Sequence, residues 1–505
     1  MKTVSQILFA ISICAALAGA AAAQGVAGNP PPNPRIAERP EDCGCEGRPL
    51  PDVLATAGVV KITKQDISAD TLRRVEELRR QVTDARRREL DLQINSLLLE
   101  AEAKKRGVTT AALLQAEVFA KTQEPSDADA RAFYDANRER LAGGSFEDVK
   151  GNVVEYLRSQ RQSERAQKFA DAMRAAAQVK KNVAEATPPA TAADRARVFA
   201  TVNGRDITSA DIEDNLRPLV YAVQEQVYDL LKRDVDLKIN DALLSQEAQK
   251  RGVTSRALLD SEVKAKLPAV TDADAQKFYD EHRARIGGDF AQLKGRIVEY
   301  LRDEAGRKAM SEYAERLRAA AQAQTFLAPP DPPVYEIATD DQPSKGGATA
   351  RVTLVVFTDF QCAACAQGQA ALDRVVSEYG ERVRLVVRDF PLSQHADAQK
   401  AAEAAEAARE QGKYWEYAAL LYQNASALQA DKLKEYATRA GLDRAKFDAA
   451  LDSGRFADKV QRDVSDGQKV GVSGTPAVFA NGLRVREASY EGVKAAVEAA
   501  LKSSR

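Results

Sequence analysis

The side chains able to do covalent chemistry are few. Of five cysteines, Cys362 and Cys365 stand in "FTDFQCAACAQG", Cys43 and Cys45 in "DCGCEG", and Cys14 stands alone; the histidines are His282 and His395. A C-x-x-C pair can be a dithiol that exchanges with other thiols, half of a zinc site, or a staple. Zinc needs two more ligands, and neither histidine stands at ligand spacing, so only Cys43 and Cys45 remain to complete such a site. Both histidines read as solvated helix or loop residues, with His395, after the DFPL strand, placed near the dithiol rim. No metal and no bound cofactor is expected. As staples, two tight pairs close loops too small to constrain a chain of 505 residues. Exchange chemistry is the reading that remains for Cys362 and Cys365. Cys43 and Cys45 are a candidate accessory redox pair. They can relay electrons to the first pair, bind Cu(I), form a strained disulfide, or do nothing.

An exchanging dithiol must be held by its surroundings. "ARVTLVVFTDF" (350–360) is rich in β-branched residues and reads as a buried strand, after which Cys362 opens a helix. At a helix N-terminus a thiolate meets unpaired N–H groups and the positive end of the dipole, which makes Cys362 the attacking sulfur. Cys365 lies one turn on, placed to resolve a mixed disulfide. "RVRLVVRDFPL" (382–392) is a second strand, Ala396 to about Val470 is helical, and "VSGTPAVFANG" (472–482) turns into a third strand. The terminal "SYEGVKAAVEAALKSS" is a last helix, so the block predicts an α/β sheet covered by helices.

The combination F-T-D-F-Q-C-x-x-C, R-D-F-P-L and G-V-x-G-T-P resembles the DsbA-like branch of the thioredoxin superfamily over about residues 330–505. The resemblance implies a thioredoxin fold with a helical insertion, Cys362 as nucleophile and Cys365 as resolving thiol. It further implies that Thr475 and Pro476, in cis, form the substrate-binding loop. Ala363-Ala364 stands where strongly oxidising members carry Pro and His, which implies a milder oxidant and leaves the direction of electron flow open.

The chain around this block is mostly helix-forming. Hydrophobic residues make up 44%, charged residues 29% and aromatics 6%, and 73 basic residues balance 74 acidic ones to a net charge of −1. That balance gives no electrostatic case for nucleic acid or an anionic membrane. Residues 1–23, with Lys2, an apolar run from Ile7 to Leu17 and Ala21-Ala22-Ala23, read as a signal peptide cleaved near Ala23. Export to the periplasm follows, where disulfides persist. Residues 24–52 are a Pro/Gly-rich tail carrying the CGC sequence.

Two blocks, 53–182 and 198–323, are copies. "DLQINSLLLEAEAKKRGVTTAALLQAEV" begins at Asp91 and "DLKINDALLSQEAQKRGVTSRALLDSEV" at Asp236, an offset of 145 residues. Leu90, Ile94, Leu98 and Ala101 make one apolar helical stripe, repeated by Val235, Ile239, Leu243 and Gln246 except at its last member. Gly107 and Gly252 read as left-handed helix ends, and Ser126 and Thr271 as helix starts in capping boxes. The opening V-N-G-x-x-I-T-x-x-D, the central helix and T-D-A-D-x-x-x-F-Y-D resemble the N-terminal domain of SurA-type periplasmic chaperones. In that family a parvulin domain usually precedes the last long helix. Here only "LAGGS" and "IGGD" stand there, so no prolyl isomerase activity is expected.

A linker (324–349) joins the copies to the 350–505 domain. The whole reads as an exported thiol:disulfide oxidoreductase that forms, reduces or isomerises disulfides, with helical modules that bind unfolded or cysteine-containing exported proteins. It would need a redox recycling partner and be peripheral to the membrane at most. The alternatives are a holdase whose dithiol domain only binds, or a redox partner dedicated to one protein.

Overall fold

The computed structural model describes residues 50–138, 145–182, 187–189 and 191–503. Residues 1–23, read above as a signal peptide, and Cys43 and Cys45 lie outside them. Both copies begin with a hairpin: β1 (Val53–Ala57) with β2 (Val60–Thr63), and later β4 (Val198–Val202) with β5 (Arg205–Thr208). The second turns through Asn203 and Gly204, at φ 49° and 85°, the left-handed pair that matches the twist of antiparallel strands. Each hairpin feeds a long helix, α1 (Ala69–Arg106) or α5 (Ser209–Lys250).

Local signals in the copies act as expected. Gly107 and Gly252 end those helices at φ 66° and 65°. After the short α2 (Thr110–Leu114), Ser126 opens α3 (Asp127–Asn137); α4 (Phe146–Ala175) and β3 (Val179–Lys181) follow. In the second copy α6 (Ser255–Glu262), α7 (Asp272–Ile286), α8 (Phe290–Ala320) and β6 (Gln324–Thr325) repeat this order. Ser126 with Asp129 and Thr271 with Asp274 form closed capping boxes. The stripes are buried at Leu90, Ile94, Leu98 and at Val235, Ile239, Leu243, but Ala101 and Gln246 are exposed. One turn beyond the stripe α1 packs through Leu99 and Ala103 on Leu113, Leu114 and Val118 instead, so its apolar face swings round the axis.

The two compact units cut across the copies. One holds Thr83–Tyr221 and Pro332–Arg505, the other Gly47–Val82 and Ala222–Asp331. Within the second unit, β1 pairs with both β2 and β6, and Leu54, Ala55 and Ile62 pack on Leu231, Val235, Ile239 and Leu243 of α5. Within the first, β4 pairs with β5 and β3, and Phe199, Val202 and Ile207 pack on Leu90, Ile94 and Leu98 of α1. Each copy's hairpin therefore closes on the other copy's helix. The first unit also holds a fully buried ion pair between these helices, Arg86 Nε to Glu213 Oε1 at 2.7 Å and Nη2 to Oε2 at 3.2 Å. Burial raises the Glu213 carboxyl above its usual range, against the pull of Arg86.

The C-terminal block is a five-stranded sheet in the order β11-β10-β8-β9-β7. Its strands are β7 (Ser344–Gly346), β8 (Val352–Thr358), β9 (Val383–Asp389), β10 (Ala477–Ala480) and β11 (Leu483–Arg484). Only β8 and β9 run parallel, joined by the crossover helix α9 (Ala363–Tyr379). Alternate residues face opposite ways. Val352, Leu354 and Val356 join the larger core, while Val355 and Phe357 face Phe390 and Phe479. Between β9 and β10 lie α10 (Ala398–Glu410), α11 (Tyr414–Gln423), α12 (Ala430–Arg439), α13 (Arg444–Asp452) and α14 (Ala457–Lys469). The closing helix is α15 (Tyr490–Ser503). A helical N-terminal region followed by an α/β domain is the architecture the two periodicities predict. Among the described residues no helix is long and apolar enough to cross a membrane.

Candidate active site

Strand β8 is apolar over most of its length and ends in Thr358, after which the chain must turn into α9. Asp359 makes that turn. Its Oδ1 accepts the Gln361 N–H at 2.7 Å, its carbonyl accepts the Cys362 N–H at 3.2 Å, and its Oδ2 accepts the Leu392 N–H at 2.8 Å. Cys362 thereby becomes the N-cap of α9, whose carbonyl accepts the N–H groups of Cys365 and Ala366. Both cysteines are unbonded and buried, Cys362 at 9% exposure and Cys365 at 1%. The more exposed cysteine is the one at the helix terminus.

The third strand supplies the facing wall. Thr475–Pro476 is a cis peptide, and the Thr475 carbonyl lies 3.4 Å from Cys362 Sγ. Cys362, Cys365, Thr475 and Pro476, four residues that the sequence pattern names, thus come together. Gly368, one turn beyond Cys365, lets the loop sit against the helix. A Cβ there would stand 3.3 Å from Pro476 Cγ. Nothing in the local pattern singles out Gly368; only its place on the cysteine face of α9 gives it a role.

Cys365 has a different setting from Cys362. Burial pushes its thiol up to about 12, against the opposing contacts of Thr475, Thr358 and the Asp359 backbone. The Thr358 hydroxyl also lies 2.7 Å from Tyr422 Oη, whose ring packs on Phe360 at 4.9 Å. Cys365 thus stays protonated across the neutral range.

A cluster of buried charge lies at the end of β9. Arg388 Nη2 donates to Asp463 at 2.7 Å and Asp466 at 2.8 Å, while Lys459 Nζ lies 2.9 Å from Glu406. Asp389, paired in register with Thr358, is fully buried, and both its carboxyl oxygens lack a hydrogen-bond partner. Burial, with Glu406 and Asp463 nearby, drives its carboxyl well above the ordinary range.

His395 and His282 part company. His282 lies within α7, its Nδ1 2.9 Å from the Phe278 carbonyl and its ring stacked on Phe278. His395 sits in the loop after β9 with Nδ1 2.8 Å from Asp359 Oδ2. Among the described residues no group of three or more His, Cys, Asp or Glu side chains is arranged to hold a metal ion. The sequence places His395 near the dithiol rim through the preceding DFPL strand, but does not name Asp359 as its partner.

Comparison with known proteins falls on this block. Residues 338–499 match the family model described as "Thioredoxin". Among curated proteins, the Na(+)/H(+) antiporter NhaA of Herminiimonas arsenicoxydans is 36% identical over 163 residues, 32% of this chain and 26% of that protein. The Na(+)/H(+) antiporter NhaA 3 of Salinispora tropica is 40% identical over 163 residues, 32% of this chain and 25% of that one. The chain thus spans about a quarter of the length of the curated relatives it matches. Among solved structures, a thioredoxin-like oxidoreductase from Silicibacter pomeroyi DSS-3 is 27% identical, covering 32% of this chain and 94% of its own at a TM-score of 0.30. BdbD from Bacillus subtilis, in its oxidised form, is 22% identical, covering 34% and 99% at a TM-score of 0.31. Residues 338–499 of this chain are a thioredoxin-like domain.

Proposed function

We propose that the chain is an exported thiol:disulfide oxidoreductase working through Cys362 and Cys365. The observation that carries this reading is a free dithiol at the N-terminus of α9, with Cys362 Sγ against the Thr475 carbonyl in a thioredoxin-like domain. The Cys362 thiolate attacks a disulfide sulfur of the client, forming a mixed disulfide and releasing one client thiolate. Cys365 then gives up its proton and attacks Cys362 Sγ, releasing the second client thiolate. The pair ends as a disulfide and the client gains two electrons. Run in reverse, the same steps give the client a disulfide. A redox partner resets the pair, and the exchange itself needs no bound cofactor. Cys43 and Cys45 are candidates for passing electrons to the pair.

The helical copies, built like SurA-type modules without a parvulin insert, hold unfolded cysteine-containing clients in this reading, and the site of action is the periplasm. The full mature chain is expected to speed refolding of a scrambled-disulfide client, and Cys362→Ser to abolish that gain. Equal rates for the two would sink the oxidoreductase reading. A variant lacking both cysteines is expected still to suppress aggregation of the reduced client; failure to do so would remove the client-holding role of the helical copies.

A further inference from the structure

The turn that carries Cys362 is tied to a loop more than thirty residues away, and the ties converge on one carboxylate. Asp359 is 2% exposed. It accepts from the Gln361 and Leu392 N–H groups and from His395 Nδ1, while its carbonyl receives the Cys362 N–H. The next loop residues repeat the tie, with Asp397 N–H donating to Gln361 Oε1 at 2.8 Å. A buried carboxylate is costly without a counter-charge. Its hydrogen bonds here come from two neutral amides and one imidazole, so His395 is the contact that can bring a positive charge. His395 is 26% exposed at its side chain. Asp397, on its own loop, is the other carboxylate close to this group through Gln361.

We infer that His395 is a positioning residue for the dithiol: its imidazolium neutralises Asp359 beneath the Cys362 turn and so favours the reduced pair. The physical reason is a balance of like and opposite charge. With His395 charged, Asp359 is compensated and a second negative charge on Cys362 is tolerated. With His395 neutral, the buried carboxylate opposes that thiolate from three residues away. Stabilising the thiolate stabilises the reduced state, so a charged His395 makes the pair easier to reduce. Ala363 and Ala364 add no charge between the cysteines. The inference deepens the oxidoreductase reading and rests on it.

Two variants separate charge from shape. His395→Asn keeps an N–H able to reach Asp359 but cannot become positive; His395→Ala keeps neither. In glutathione buffers, both are expected to lower the equilibrium constant for reduction of the Cys362–Cys365 disulfide roughly tenfold, the scale of a one-unit change in thiol acidity. Iodoacetamide labelling of Cys362 should reach its half-maximal rate at lower pH in the wild type than in both variants, because the imidazolium favours the thiolate. A wild-type constant and pH profile in His395→Asn, whatever His395→Ala does, would overturn the inference by leaving His395 only a hydrogen-bond role. Should the wild type form no disulfide in glutathione buffers, the oxidoreductase reading fails by itself, and the labelling profile still decides for or against His395.

Discussion

The helical copies and the dithiol domain place their charges differently. In the copies the pairs run along exposed faces, such as Arg106 with Glu102 and Glu117 or Arg251 with Glu247 and Glu262, and Arg86 with Glu213 is the fully buried exception. In the dithiol domain Asp359, Asp389, Glu406 and Asp463 are all buried close to the ends of β8 and β9. Exposed pairs add little to stability, whereas a buried acid either has a charged partner, as Asp463 has in Arg388, or is driven towards its protonated form, as Asp389 is. The copies therefore rely on apolar stripes and caps, while the dithiol domain buries acidic groups around its cysteine pair. The difference teaches where substitution will be felt as lost stability and where as altered chemistry.

The sharpest way to break this contrast is Arg86→Met, which leaves Glu213 buried without its partner. A loss of about 3–5 kcal/mol is expected in urea denaturation followed by helical circular dichroism. If the loss is small, the buried pair does not hold the hairpin of one copy on the helix of the other. Second comes Asp389→Asn. An acid raised in the folded state binds its proton more tightly there than in the unfolded chain. Its stability is full below the ordinary carboxylate range and is lost as pH rises through the raised value. The variant should match the wild type at pH 4 and exceed it at pH 9 by about 1–3 kcal/mol, the cost of an unpaired buried group. Parallel stability curves across pH would remove Asp389 from this account. Smaller again is Gly368→Ala. Its added Cβ meets Pro476 Cγ at 3.3 Å, so the loop must give by a few tenths of an ångström. Client exchange should slow several-fold with little change in the denaturation midpoint. Arg106→Ala, on an exposed face, is the matching control and should leave the midpoint where it was.

Much of the helical region could be read directly. Capping boxes at Ser126 and Thr271 and the glycine ends at Gly107 and Gly252 depend on neighbours a few residues away, so pattern suffices. The exposure of Ala101 and Gln246 was not legible, because a stripe at helical spacing says nothing about where its cover stops. In the site, Cys362, Cys365, Thr475 and Pro476 stood out through motif and spacing. His395, after the DFPL strand, could be placed near the dithiol rim, but its partner Asp359, and Gly368 and Asp389, did not stand out, because each matters through a residue far along the chain.

The sequence by itself determined the duplication, the change of period from helix to alternating strand, and the dithiol at a helix start, all of them properties of short stretches. Tertiary structure alone decided that each hairpin closes on the other copy's helix. The same stripe can bury either hairpin, and only three-dimensional closure selects one. It also decided the charge around the cysteines. Asp359 and His395 are 36 positions apart, and burial, which turns a carboxylate into a demand for a partner, exists only once the chain has folded.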